Sequence, residues 1–593
     1  MKLPQAKVFG YLCVLCVLCG ESLCFSLERE AFSIPNYDLN LQIEPEQHRL
    51  GVRGKITLRN DTAAPQKIAV LQVSSSLDWR SIKAGERVVQ FVRQPYTSDI
   101  DHTGSLSEAI VTLPQEVAPH GTIDLDIAYE GVILLDATRL IRIDTPEDAA
   151  RDSDWDRIDE NFTGLRGAGH VAWYPIATDV ANLSEPDSLF EVLARWNTRE
   201  SGSKMHLGIA FSPPAGWLRF PVDEKGIAGL AKDEPKALFN AINCTLEGKE
   251  RYGGPLSFDC SSQLLRLDAP TLVIAQYQLR EGPGIELRYL QGHEAATTAM
   301  ADAAQQGSQL IADWFGPARE RVKVAELPDP GAAPFESGVL LLTPLKDRDS
   351  SSAGLTVAHQ LTHASFLSFR PWIEEGLAHF AQTLYLEQEK GRQAALDYMG
   401  RHRTSLARIE TTSTALESEQ EQRRSLVNAV SEELYRSKAM CVWWMLRDMI
   451  GDAALKKAIA AYKPEDDNDS AYMQRLLAAQ TQRDLGWFFD DWVYHDRGLP
   501  DFKVESAYAS KTSTVGFMLT ITLGNLGTAG AEVPVNIKLA TGEVTKRIEV
   551  HAKSKTTVRV ETPSAPQEIR VNDGSVPETN PVNNVFKVES PKS

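Results

Sequence analysis

Apolar residues recur along this chain with two different periods, and the period switches twice. From residue 25 to about 283 the period is two: Leu39, Leu41 and Ile43 alternate with polar neighbours, as do Ile123, Leu125, Ile127 and Tyr129, and Gly, Pro, Asn and Asp separate the runs. Alternation of this kind buries one face of a strand, so the segment predicts a large antiparallel β-sandwich over 25–283. Strand patterns at 285–290, 322–327 and 339–342 then surround a helical pattern at 294–315. From Leu355 to about His495 the apolar spacing becomes three and four, prolines are few, and Ala, Leu, Glu, Gln and Arg dominate. Strands followed by helices in blocks predict an α+β domain over 284–500. Past Gly498-Leu499-Pro500 the period returns to two, through Phe517, Leu519, Ile521 and Leu523, then Val533, Val535, Ile537 and Leu539. That pattern predicts a small β-sandwich of immunoglobulin-like proportions over 501–575. The Pro-, Asn- and Ser-rich residues 576–593 read as a loose tail.

A chain of 593 residues exceeds what one hydrophobic core supports, which agrees with several domains. Its N-terminus is of another kind. Lys2 and Lys7 precede an apolar run from Val8 to Cys19, and Ser22 and Cys24 place small residues before a cleavage point at Phe25. This is the layout of a signal peptide over 1–24 and implies a secreted, periplasmic or extracellular protein; the alternative is an uncleaved N-terminal anchor. No second apolar stretch is long enough to cross a membrane. Four of the seven cysteines (Cys13, Cys16, Cys19 and Cys24) fall in that leader. Of the others, Cys244 and Cys260 flank a turn region with Gly248, Gly253 and Gly254 and are placed to pair in an oxidising compartment. Cys441, in an apolar helical stretch, reads as a core residue. A formal charge of −18 argues against nucleic acid or an anionic membrane as partner. Asn161, Asn182 and Asn243 open Asn-x-Ser/Thr sites, which say nothing of the reaction.

The chemistry concentrates in Thr356-Val357-Ala358-His359-Gln360-Leu361-Thr362-His363. Histidines at i and i+4 stand one turn apart on one helix face, where both imidazoles can share a tetrahedral metal. The spacing alone is equally met by two histidines on a solvated face. Beyond them, Trp372-Ile373-Glu374-Glu375-Gly376 starts another helical segment able to bring a third, carboxylate ligand and leave a fourth position open.

These segments resemble the aminopeptidase N-type gluzincin zinc metallopeptidases, which carry H-E-x-x-H followed one helix later by W-L-N-E-G-F-A. The resemblance implies a thermolysin-like catalytic domain and a zinc ion on His359, His363 and Glu375. Glu374 replaces an Asn of the family and, about 100° further round the helix, is expected to point away. Ala333-Pro334-Phe335-Glu336-Ser337 is similar to the G-x-M-E-N strand, so Glu336, 23 residues before His359, is expected to bind the free α-amine of a peptide. Leu434-Tyr435-Arg436-Ser437-Lys438-Ala439 resembles the Y-x-K-G/A segment, which gives Tyr435 the role of oxyanion stabiliser. Trp314-Phe315-Gly316-Pro317, Tyr37-Asp38-Leu39 and Ala172-Trp173-Tyr174-Pro175 are further landmarks. The resemblance spans about residues 30–500. It lacks the large helical C-terminal domain, and the interval between His363 and Glu375 is seven residues shorter than the family's eighteen.

One departure bears on chemistry. Gln360 stands where the family has the glutamate that takes a proton from water and passes it to the leaving amine, and an amide cannot accept a proton. The expectation is a zinc-binding protein that recognises peptide or protein N-termini with hydrolysis strongly impaired. The alternatives are a slow or specialised peptidase using another base, Glu374 and Glu336 being the nearby carboxylates, or a non-enzymatic envelope protein whose helices are scaffold. His379, four residues beyond Glu375, reads as an interior or rim histidine rather than a ligand.

Overall fold

The computed structural model describes residues 27–185, 188–214, 217, 235–247, 255–345, 350–407, 425–429, 433–512 and 516–588. The leader over 1–24 and the glycines at 248, 253 and 254 lie outside these residues. Among the described residues no helix is long and apolar enough to cross a membrane.

β-Sheet units at the two ends flank a central mixed region. In the N-terminal unit an eight-stranded sheet faces a three-stranded one built from Gln66–Ser74, Ser105–Val117 and Phe91–Thr97. The alternating residues point inward as their period requires: Leu39, Leu41, Ile43, Leu125, Ile127 and Tyr129 are all buried. Pairing in the large sheet is antiparallel with one exception. Phe32–Glu44 runs parallel to Lys204–Phe211, with Leu39 opposite Leu207. A parallel join needs a crossover, and the amphipathic helix α1 (Ser188–Glu200) supplies part of it, burying Leu189, Val192 and Trp196. Two of the sequence landmarks meet in this core: Tyr37 packs edge-on against Tyr174 at 5.8 Å and its hydroxyl donates to Pro175 O at 3.2 Å. The Cys244–Cys260 disulfide forms, tying the edge strand Thr245–Glu247 to Leu256–Leu264.

The central region holds a five-stranded sheet in the order Gln278–Gly282, Ile285–Tyr289, Val322–Glu326, Leu340–Thr343, Phe335–Ser337. Its first two strands form an antiparallel hairpin with Gln278 opposite Tyr289, so a boundary at residue 283 divides a single hairpin. The sheet therefore begins earlier than the periodicity indicated. Helices α2 (Thr298–Phe315), α3 (Ser350–Ser365), α4 (Pro371–Lys390) and α5 (Ala439–Ile450) pack beside it. Helices α4 and α5 come close enough that a Cβ added to Gly376 would lie 2.7 Å from Ala439 Cβ, and Trp372 stacks on Trp443 at 5.3 Å. Cys441 is buried in α5, as expected of a core residue.

The C-terminal unit packs a three-stranded sheet against a four-stranded one. Its core is continuous with that of the helices. Trp492 Nε1 donates to Gly530 O at 2.7 Å across the join, and Asp491 accepts from Gly530 N at 2.8 Å. The expected loose tail is corrected here. Val585–Lys587 pairs with Pro566–Val571 as an edge strand, and Glu578 and Asn584 are buried. The Asn residues make local side-chain bonds that order the segment without apolar alternation: Asn572 Nδ2 and Asn584 Nδ2 both donate to Glu578 Oε1 at 2.6 Å.

Two outcomes test this architecture. The disulfide closes a loop of sequence separation 16, so Cys244→Ser is expected to lower unfolding free energy by about 3 kcal/mol, read from denaturant unfolding of oxidised protein. At the end of α1, Glu200 accepts from Ile34 N, Ser203 Oγ and Tyr37 Oη at 3.0, 2.9 and 3.4 Å. Burial outweighs those bonds and pushes its carboxyl up to about 7. A raised carboxyl contributes its full stability below the unfolded value near 4.5 and loses it as pH rises through about 7. Melting curves from pH 5 to 8.5 should show wild type losing about 3 kcal/mol relative to Glu200→Gln; a difference that does not change with pH would contradict this.

Candidate metal centre

Helix α3 carries His359 and His363 one turn apart, and both are buried. Helix α4 follows after a short connection and turns Glu375 toward them. One donor atom from each of His359, His363 and Glu375 lies within 4.8 Å of the others. In detail the two Nε2 atoms are 3.1 Å apart, His363 Nε2 is 3.5 Å from Glu375 Oε1, and His359 Nε2 is 3.8 Å from Glu375 Oε2. Zinc bonds of about 2.0–2.1 Å in a tetrahedron put neighbouring ligand atoms about 3.3–3.4 Å apart. The trio therefore fits three corners of a tetrahedral zinc site with small adjustments. This is the donor set that the resemblance implied.

The neighbouring carboxylates are arranged differently from expectation. Glu374 does not point away: its Oε1 lies 3.2 Å from His363 Nδ1, the ring nitrogen opposite the donor face, and its Oε2 accepts from Ser368 N. Burial of α4 against α3 bends this side chain inward, where the imidazole and the Ser368 amide satisfy it. A carboxylate on the far nitrogen fixes ring orientation and raises ligand basicity. Glu336, on the edge strand Phe335–Ser337, places Oε2 2.9 Å from His359 Nε2. The edge strand is set by the N-terminal unit. Ala333 N donates to Asp152 O at 2.7 Å and Ala333 O accepts from Trp155 Nε1 at 2.9 Å. Phe335 then packs edge-on to His170 at 5.3 Å.

Arg436 was not singled out by the sequence. Its Nε donates to Glu375 Oε2 at 3.1 Å. The segment has one residue more between Tyr435 and Lys438 than the Y-x-K pattern, and the chain absorbs it as a π-helical turn over Glu433–Lys438. That turn leaves Tyr435 on the cleft wall and Arg436 against Glu375. The extra residue is the signal that could have identified it. His379, half-buried, packs its ring on His359 at 5.0 Å but stays outside the donor set, and its Nδ1 is buried without a partner among the described residues.

Three carboxylates thus converge on two imidazoles and one guanidinium, and the charges are strongly coupled. Burial opposes protonation of His363, yet Glu375 and Glu374 outweigh it and raise the imidazole to about 9. Burial likewise opposes ionisation of Glu375, but Arg436, His363 and His359 hold its carboxyl down to about 2. Glu336, beside His359, is held well below the usual carboxylate range despite burial. Gln360 contrasts with all of them. It is 1% exposed, and neither amide atom has a hydrogen-bond partner among the described residues.

The cluster opens on a cleft of about 660 Å³ between the N-terminal unit and the helices, within the range of small-ligand and short-peptide sites. Glu336, His363, Glu374, Glu375 and Tyr435 all line it; His359 and Gln360 do not.

No family model and no curated protein matches the chain. Among solved structures it is similar to an M1 zinc metallopeptidase from Deinococcus radiodurans, with 16% identity over 78% of this chain and 94% of that chain and a TM-score of 0.48. A glutamate-to-alanine variant of that metallopeptidase gives the same values. The variant bound to a Tyr-Ser-Ala substrate gives 14% identity, 79% and 95% coverage and a TM-score of 0.45.

If Glu374 orients His363, Glu374→Ala should weaken zinc affinity about 10–100-fold in chelator competition, while His359→Ala and Glu375→Ala abolish stoichiometric binding. Unchanged affinity in Glu374→Ala would remove its role.

Proposed function

We propose that this chain binds zinc through His359, His363 and Glu375 and captures the free N-terminus of a peptide or protein, with hydrolysis strongly impaired. The carrying observation is the close donor trio of His359, His363 and Glu375, two of which line a cleft, with an amide in place of a carboxylate at residue 360. Zinc bound there supplies Lewis acidity toward a peptide carbonyl.

The chain's own residues divide the remaining work. Glu374 holds the His363 ring from behind, and Arg436 holds Glu375, so two of the three candidate ligands are oriented by the protein's own side chains. Glu336 rests against the His359 Nε2 that would hold the metal, and its carboxylate at the strand edge is the group that would receive an ammonium. Tyr435, on the cleft wall, offers a hydroxyl donor to a carbonyl oxygen. Gln360 offers hydrogen bonds but no proton acceptor, which removes a contribution of typically about 10²–10⁴-fold. An acceptor is needed both to activate water and to return the proton to the departing amine. One observation favours a second reading, slow hydrolysis with another base: Glu336 is a carboxylate already against the donor face of His359.

The test measures bound zinc and aminopeptidase turnover in wild type and Gln360→Glu. One zinc per chain, negligible wild-type turnover and a gain of about 10²–10⁴-fold in the variant are expected. Wild-type turnover abolished by Glu336→Gln would favour the second reading, and absence of stoichiometric zinc would overturn both.

A further inference from the structure

The cleft carries charges of both signs. Around the candidate metal site its wall is carboxylate-rich, with Glu336, Glu374 and Glu375. Two arginines, Arg266 and Arg319, line the same cleft beside two further acids, Asp268 and Glu320, and neither guanidinium is held in a close ion pair. The nearest acid to Arg266 is Glu320 at 4.0 Å, the limit of an ion pair. Arg319 has no carboxylate within that distance among the described residues; its Nη2 makes one long bond of 3.4 Å to His363 O. The buried arginines nearby behave differently: Arg139 is paired with Asp154 at 2.6 Å and Arg166 with Asp156 at 2.7 Å.

Both free-handed arginines are rigidly mounted. Arg319 N donates to Ala364 O at 2.8 Å, which fastens it beside the end of α3. Arg266 N donates to Ser201 O at 3.0 Å, just past the end of α1. Arg266 also holds φ = 56°, a left-handed conformation that favours glycine and costs an arginine energy. Such conformations cluster where a side chain must be aimed. Leu193 and Phe369 add apolar wall to the same cleft.

Resting on the reading of the candidate metal site as an amine-capturing site, we propose that Arg266 and Arg319 bind a carboxylate of the same peptide, its C-terminus, making the cleft a receptor for short peptides free at both ends. A guanidinium fork matches a carboxylate with two parallel hydrogen bonds, and charge-assisted bonds of this kind are about twice as strong as neutral ones. A cleft of about 660 Å³ takes a short peptide in place of a folded chain, so both charged termini must find partners within it. The charges are complementary: the carboxylates around the candidate metal site to ammonium, the guanidinium pair to carboxylate.

The test uses the zinc-loaded full chain and oligoalanines of two to five residues in three forms: unmodified, C-terminally amidated and N-acetylated. Calorimetric affinities should show one preferred length. At that length amidation should weaken binding about tenfold or more, as loss of a charge-assisted bond does. Arg319→Gln and Arg266→Gln should each shrink that acid-over-amide preference while leaving the penalty for N-acetylation in place. Equal affinity for acid and amide at every length would overturn the proposal and leave the amine-capturing site intact. Indifference to N-acetylation, or no peptide binding at all, would instead overturn the reading beneath it. The wild-type comparison decides the matter even where a variant fails to fold.

Discussion

Placing three carboxylates within reach of two buried imidazoles is the constraint around which the centre of this molecule is organised. Such a set repels itself unless cations are interleaved, and the fold interleaves them from separate elements. Arg436 arrives on a π-helical turn, His359 and His363 on α3, and the acids on α4 and an edge strand. Each element is held for this purpose by packing elsewhere. The close approach of α4 to α5 at Gly376 brings the turn with Arg436 to Glu375. The two bonds to Ala333 hold the edge strand at the height of His359. The N-terminal unit therefore helps to place Glu336: its bonds through Asp152 and Trp155 add to the pairing of that strand with Leu340–Thr343.

Much of this was legible in the sequence, and the failures have physical causes. A period of two marked strands such as Phe32–Glu44, Phe517–Asn525 and Ala531–Leu539, because in each one face is buried and the other is wet. The i, i+4 histidines marked the metal helix for the same reason that any helix can be read: geometry fixes which side chains share a face. The spacing of Leu189, Val192 and Trp196 was equally readable as α1, but it lay hidden inside a stretch dominated by strands. The C-terminal strand Val585–Lys587 was not legible, since Asn–Glu bonding and an edge pairing hold it, and neither leaves a periodic trace. Glu374 was misjudged because a helical wheel places Cα atoms, whereas a glutamate side chain reaches several ångströms back across the angle it assigns.

Gln360 takes on a different meaning inside the fold. From the sequence it is a glutamate with its proton-accepting oxygen exchanged. In the molecule it is also buried at 1% exposure, with neither amide atom partnered among the described residues. An unpartnered buried amide is costly, on the order of 1–3 kcal/mol. His363 and Glu375 are cross-bonded to Glu374 and Arg436, whereas His359 Nδ1 shares the lack of a partner with the Gln360 amide among the described residues.

The single core shared by the helices and the C-terminal sandwich has a consequence for how the molecule comes apart. Trp492 reaches across the join to Gly530, and the apolar side chains on both sides form one cluster. Lys438, at the end of the turn that carries Tyr435 and Arg436, is buried against Asp496 and donates to Gly498 O on the way into that join. The two units should therefore melt as one cooperative block. A chain cut at the junction would lose the floor of the metal centre along with the sandwich, so the terminal module behaves as a keystone and not as an appended tag.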